Sequence, residues 1–183
     1  MTTYISILRG INVSGHNIIK MDQLKQLMMN LGFENVQTYI QSGNIIYQTK
    51  QKDTTKLSES IIKTIQKDFG YDVPVITLSI NILEKIIQNN PFTKNATDTS
   101  LLHVTFLNAI PDTEKIKLLK SVDTKNDTFE IIEQAMYLLC QNGYGNTKLS
   151  NTFIENKLKV GATTRNWKTT NELLNMAKKL NNG

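Results

Sequence analysis

Two arginines stand apart in this chain. Of its twenty-one basic residues nineteen are lysine, and only Arg9 and Arg165 carry a guanidinium. A guanidinium is a planar, permanently charged fork that matches carboxylate or phosphate oxygens in a way an ammonium cannot copy. Arg9 stands among glycines and small polar residues, with Gly10, Asn12, Ser14 and Gly15, and Arg165 stands beside Asn166 and Trp167. Such groups can hold an anion. A run of Gln41, Ser42, Gly43 and Asn44 and a second run from Gly143 through Tyr144, Gly145, Asn146 and Thr147 to Lys148 offer further donors. A glycine-containing loop that leaves a strand and opens a helix can present backbone N–H groups to phosphate, and Lys148 stands beside this one, although the spacing is not that of a P-loop. The opposing reading is that each arginine ties down a loop carbonyl or a carboxylate.

Other chemistry has less support. The chain shows no paired carboxylates, no Cys–His couple and no metal-ligand spacing, so no catalytic residue is assigned and neither a metal nor a cofactor is expected. Cys140 ends an apolar run and reads as a small buried hydrophobe. His16 and His103 are far apart, and His103 falls in an alternating strand. Met21, Met28 and Met29 read as helical core, while Trp167 fits either a plug on the closing helix or a stacking surface for a ligand.

Elements must position these residues. Tyr4 to Leu8 reads as a strand, Met21, Leu24, Leu27, Met28 and Leu31 as a helix stopped by Gly32, and Val36 to Ile40 with Ile45 to Tyr47 as a hairpin. Leu57, Ile61, Ile65 and Phe69 mark a second helix ending at Gly70, and Val73 to Leu78 a fourth strand with Pro74 suited to an edge. This βαββαβ order is the ferredoxin-like pattern. After a helix at Ile80 to Ile87 and the Asn90-Pro91 break, the order restarts. Leu101 to Leu107 is a strand, Ile116 to Val122 a helix, and Thr128 to Ile132 with Ala135 to Cys140 a hairpin. Leu149 to Leu158 is a helix and Val160 to Thr164 a short strand. Thr169 and Glu172 have capping-box spacing for the closing helix. The predicted fold class is thus α+β, two ferredoxin-like subdomains with antiparallel sheets: residues 1–78, a linking helix and loop over 79–98, and residues 99–183. In such units the end of strand one, the start of helix one and the hairpin tip share one edge of the sheet. That edge gathers the Arg9 cluster in the first half, and the opposite edge gathers the Lys148 and Arg165 cluster in the second. The first helix, opening at Lys20-Met21-Asp22, has no strong N-cap residue.

Composition bounds the class. Apolar residues make up 39% and charged residues 20%, ordinary for a folded protein without disordered tracts. The first strand begins almost at once, no apolar run approaches the roughly 20 residues that span a bilayer, and the lone cysteine suits a reducing compartment; a cytoplasmic protein with no membrane partner is expected. The net charge of +5 lies wholly in residues 141–183, whose seven basic residues face two acidic ones. Such a segment is either a solvated helical face or a surface that attracts anions.

The motifs Arg9-Gly10-Ile11-Asn12-Val13, Thr38-Tyr39-Ile40-Gln41-Ser42-Gly43-Asn44 and Ala162-Thr163-Thr164-Arg165-Asn166-Trp167, with Met21 and the stretch from Gly145 to Lys148, closely resemble the bacterial family known as domain of unknown function 1697. The resemblance is densest at the two ends and thin between about residues 50 and 130. It implies two ferredoxin-like subdomains and no assigned activity. Carried over by position, Arg9, Asn12, Ser42, Gly43, Asn44, Lys148, Arg165 and Asn166 match the family's signature polar residues; Ser14 replaces a usual glycine and Thr147 a usual serine. Three functions remain open: a protein that binds a small phosphate-bearing or nucleotide-like anion at these residues, a nucleic-acid-binding module, and a structural or interaction protein with no small ligand. The second ranks lower because the strand Ile45-Ile46-Tyr47 lacks the aromatic signature that stacks RNA bases. Oligomeric state is not legible in the sequence.

Overall fold

The computed structural model describes residues 1–94 and 96–182. The main elements in chain order are β1 (Thr2–Leu8), α1 (Met21–Asn30), β2 (Glu34–Tyr39), β3 (Asn44–Thr49), α2 (Thr54–Phe69), β4 (Val75–Ser79), α3 (Ile80–Gln88), β5 (Leu102–Leu107), α4 (Thr113–Lys120), β6 (Thr128–Ile132), β7 (Ala135–Leu139), α5 (Asn151–Leu158), β8 (Ala162–Asn166) and α6 (Trp167–Asn182). They form two four-stranded antiparallel sheets, ordered β2-β3-β1-β4 and β6-β7-β5-β8. Each is the ferredoxin-like arrangement, an α+β fold made twice. The chain divides into two compact units, Met1–Glu84 with Glu172–Gly183, and Lys85–Asn171. The unit boundaries fall inside α3 and inside α6.

In the first unit, Leu24, Leu27 and Met28 of α1 and Leu57, Ile61 and Ile65 of α2 pack against Tyr4, Leu8, Ile45, Tyr47 and Val75 of the sheet. Met29 departs from the expected methionine core and is 50% exposed. Leu24, Leu27 and Met28 already fill the buried face of α1, and Met29, a further ~100° around the helix, lies outside it. Asp53 accepts from Thr55 N (3.0 Å) and Lys56 N (3.1 Å) to open α2, and Gly70, left-handed at φ 73°, closes it. The other face of β1, bearing Thr3, Ile5 and Ile7, is buried as well, so large apolar residues occupy both of its faces. The end of α6 reaches this face, where Thr3 Oγ1 donates to Asn181 Oδ1 (3.2 Å) and Gln48 Nε2 to Leu180 O (3.4 Å).

In the second unit, Leu107, Met136, Leu138 and Ala162 of the sheet pack with Leu119 of α4 and Ile154 and Leu158 of α5. Asp112 and Ser150 cap these two helices. The expected last strand begins two residues late, at Ala162, because Lys159 turns left-handed (φ 57°) to close α5 before the chain extends. The strand consequently takes in Arg165 and Asn166. The cap of α6 moves too: Asn166 Oδ1 accepts from Thr169 N at 2.7 Å. Thr169, read from its spacing as the cap, instead lies buried inside the helix.

The two units share one buried detail. At the centre of β1, Ser6 is hydrogen-bonded to Thr77 of β4 (2.8 Å), and Ser58 of α2 donates to Thr77 (2.9 Å). At the matching register Thr105 of β5 is hydrogen-bonded to Thr164 of β8 (2.7 Å), which donates to Asn151 of α5 (2.7 Å). Central strand, edge strand and helix are thus pinned by a polar line at one point in each sheet. Among the described residues no helix is long and apolar enough to cross a membrane.

Candidate functional site

The first sequence-predicted cluster gathers at one end of its sheet. Leu8 N donates to Gly43 O (2.8 Å) and Arg9 N to Pro74 O (3.0 Å), so the β1–α1 loop, the β2–β3 hairpin and the start of β4 meet. Asn12 is the clamp. Its Nδ2 donates to Ile19 O and to Gln41 O, both at 2.9 Å, and its Oδ1 accepts from Ile19 N (2.9 Å). Asn44 is fully buried and donates to Tyr39 O and Ser42 Oγ, each at 3.0 Å, which fixes the hairpin turn. Gly43 (φ 81°) permits the close approach: a Cβ there would lie 2.7 Å from Ile11 Cδ1 and 2.8 Å from Leu8 Cβ. Arg9 is half-buried, while Gly10, Ser14, Gly15 and Gln41 are exposed. The loop is conformationally costly, with Asn12, Ser14 and Ile40 all left-handed. For a β-branched residue such as Ile40 that conformation is a true outlier. As expected, Lys20 at the start of α1 makes no side-chain cap.

The second cluster occupies the other end of its own sheet, where β7 finishes and α5 begins. Here several of the loop's backbone donors are used within the loop itself. Gly143 N donates to Cys140 O, Asn146 N to Gly143 O and Thr147 N to Tyr144 O. Gln141 N donates to Asp127 Oδ1, Leu149 N to Thr147 Oγ1 and Phe153 N to Ser150 Oγ. These N–H groups hold the loop in a tight 3-10 turn, and side chains supply the remaining donors around it.

Those side chains surround a polar pocket of about 350 Å³, formed by Thr124, Lys125, Asn126 and Asp127 on one side and Asn142, Asn146, Thr147 and Lys148 on the other. Asp127 organises it. This buried carboxylate accepts from Gln141 N (2.9 Å) through one oxygen and from Thr147 Oγ1 through the other, which joins the turn before β6 to the loop after β7. Lys148 Nζ donates to Asp123 O (3.3 Å), leaving the rest of its hydrogens for the pocket. Sequence reading identified Asn146, Thr147 and Lys148 and missed Asn142 and the companions at 124–127. The signal was the run of turn-formers Asp123-Thr124-Lys125-Asn126-Asp127, which the topology brings beside residues 142–148 because β6 starts where β7 ends.

Arg165 and Asn166 occupy the same end of the sheet on β8, the edge strand opposite β6. Arg165 Nη1 donates to Thr164 O (3.0 Å), and burial pulls the guanidinium down to about 10 against the opposing influence of Tyr144. Tyr144 stacks on His103, with ring centroids 4.9 Å apart and planes 21° from parallel. Burial holds the His103 imidazole below its ordinary value, with the Leu101 carbonyl opposing. Asn166 is committed to capping α6. Arg165 and Lys148 therefore stand toward opposite sides of this end. Arg9 belongs to the first unit and Arg165 to the second. Cys140 is buried, as read, and burial with Asp127 nearby pushes its thiol up to about 11. Among the described residues no group of His, Cys, Asp and Glu could hold a metal ion.

A family model described as "Protein of unknown function (DUF1697)" matches residues 1–137, and the chain belongs to this family. The matched span ends before the pocket loop at 142–148 and before the Ala162 to Trp167 motif. Among solved structures, the conserved bacterial protein SP0830 from Streptococcus pneumoniae is similar, with 25% sequence identity and a TM-score of 0.73 over 96% of this chain and 98% of that one. No curated protein matches.

Proposed function

We propose that this DUF1697 member binds a small phosphate-bearing anion in the polar pocket of its second unit, with Lys148 and Lys125 supplying the charge and Asn126, Asn142 and Asn146 the neutral donors. The observation that carries the reading is how the pocket's charges are disposed. Its one carboxylate, Asp127, has each oxygen engaged by a loop donor, whereas Lys125 and Lys148 form no ion pair among the described residues. Among the same residues six other lysines, including Lys85, Lys120 and Lys178, are paired with carboxylates. A pocket whose anion is internally satisfied and whose cations are not attracts negative charge. The proposal is binding rather than catalysis: Asp127 is occupied as an acceptor, and a thiol raised to about 11 is a poor nucleophile.

Asn12, Asn44 and Asn166 take a different part. Their hydrogen bonds brace a loop, a hairpin and a helix start, so these signature residues serve the scaffold. The test is a thermal-shift screen of orthophosphate, sugar phosphates, nucleotides and dicarboxylates, since a ligand of the native state raises the melting temperature. Phosphate-bearing compounds should raise it in the native protein and not in Lys148→Ala. A shift that survives in Lys148→Ala, or comes from dicarboxylates alone, would sink the proposal.

A further inference from the structure

Lys148 serves the pocket and also begins a row of cations leading away from it. Its ammonium lies 5.9 Å from the centroid of the Phe153 ring, and the ammonium of Lys157 lies 5.7 Å from the same centroid. Phe153 and Lys157 are four apart on α5, so they stack on one helical face, while Lys148 reaches the ring from the loop before the helix. The ring is a spacer that holds two like charges on one patch, no more than about 12 Å apart. Lys157, like Lys125 and Lys148, forms no ion pair among the described residues. The nearby carboxylates are engaged elsewhere: Glu155 Oε1 accepts from Ala162 N (3.0 Å) and Asp123 Oδ1 from Lys125 N (2.8 Å). Three unneutralised ammonium groups thus line a path from inside the pocket to the exposed face of α5.

We infer that the natural ligand carries two or more phosphates in line, with one end seated between Lys125 and Lys148 and the chain extending past Phe153 to Lys157. This rests on the anion reading above and narrows it to the polyphosphate class. A single phosphate in the pocket is too small to touch Lys157 as well. A linear polyphosphate relieves the repulsion of all three lysines at once, and each added charge-assisted contact strengthens binding.

The experiment is calorimetric titration of the full chain with inorganic orthophosphate, pyrophosphate and tripolyphosphate at fixed ionic strength, repeated on Lys157→Gln and Lys125→Asn. Asparagine suits residue 125 because that position is left-handed (φ 58°). Tripolyphosphate should bind at least tenfold more tightly than orthophosphate. Lys157→Gln should erase that advantage and leave orthophosphate unchanged, while Lys125→Asn should weaken both. Equal affinities for the two, or indifference of tripolyphosphate to Lys157→Gln, would overturn the inference and leave the pocket proposal standing. Failure of every phosphate to bind would overturn both. A single-stranded oligonucleotide that binds with steep salt dependence while tripolyphosphate does not would also refute the inference, in favour of nucleic acid.

Discussion

In the first unit the long connection leaves the first strand, residues 9–20, and the one that enters the second helix is brief, residues 50–53; in the second unit the lengths are exchanged, 108–112 against 140–150. The strand order, the antiparallel register and even the buried hydroxyl line at the sheet centre are common to both. What differs is the end of the sheet that carries the elaborated loop, and the unusual polar residues go with that loop. Register makes the point residue by residue. Arg9 N donates to Pro74 O just as Asn108 N donates to Gly161 O, so the two positions are structurally equivalent, yet the arginine stands only on the side with the long loop. A doubled scaffold thus offers two equivalent ends twice over and decorates one in each copy, as expected where chemistry is grafted onto a fold rather than dictated by it.

The sharpest way to break this comparison is steric. Gly43→Ala adds a Cβ that meets Ile11 and Leu8 at under 3 Å on a left-handed backbone, and it should cost about 3 kcal/mol of unfolding free energy in denaturant titration. Gly161→Ala in the other unit meets only the Asn108 amide, at 2.9 Å, and should cost about 1 kcal/mol, because that side chain can swing aside at the expense of the bond it accepts from Gly161 N (2.7 Å). Equal losses would mean that the decorated end of the first sheet is not built differently from its undecorated equivalent in the second. Next come the two loop organisers. Asn12→Ala and Asp127→Ala each strand buried or half-buried partners and should each cost about 2 kcal/mol by the same measurement; Asp127→Ala should also abolish phosphate binding, whereas Asn12→Ala should spare it.

The hydroxyl lines predict a smaller asymmetry. Thr77→Val leaves Ser6 bonded to Tyr47 (3.1 Å), whereas Thr164→Val deprives Thr105 of its partner. The first should cost about 0.5 kcal/mol and the second about 1.5 kcal/mol, with Thr105→Val added to Thr164→Val restoring part of the loss. Smallest is a pH effect with contributors in both units. Burial raises Tyr47 and Tyr137 from 10.0 to about 12 and Cys140 from 9.0 to about 11. Above pH 9 the unfolded chain releases protons that the native state keeps, so stability is full below that pH and falls as pH rises toward 11 and 12. Cys140→Ala should flatten the early part of the decline and Tyr47→Phe the later part, read from melting temperatures between pH 8 and 11.

Much of this was legible from pattern. Apolar spacing, the glycine stops at 32 and 70 and the turn at 42–44 were enough to place the elements, because each is a local preference that the tertiary structure does not oppose. The misses have local causes as well. Met29 was drawn into the core by its type, when helical geometry puts it outside. The start of α6 was drawn to Thr169 by spacing, when β8 runs straight into the helix and Asn166 is already placed to cap it. The pocket was half legible. Lys148 announced itself, but Asp127 and Lys125 become its neighbours only through the pairing of β6 with β7, and a carboxylate's hydrogen-bond partners cannot be read from its place in the chain. Which N–H groups a glycine-containing loop keeps for itself is likewise decided by its turn geometry.

The third residue of the chain is bonded to the hundred-and-eighty-first. Order of synthesis is therefore not order of completion: the second sheet has all its strands once Asn166 is made, while the first, translated long before, still lacks the helix end that caps Thr3 and Gln48. Until then a nascent chain holds Thr3 and Gln48 only to each other and to Asn35, so of the two sheets the one translated first is completed second.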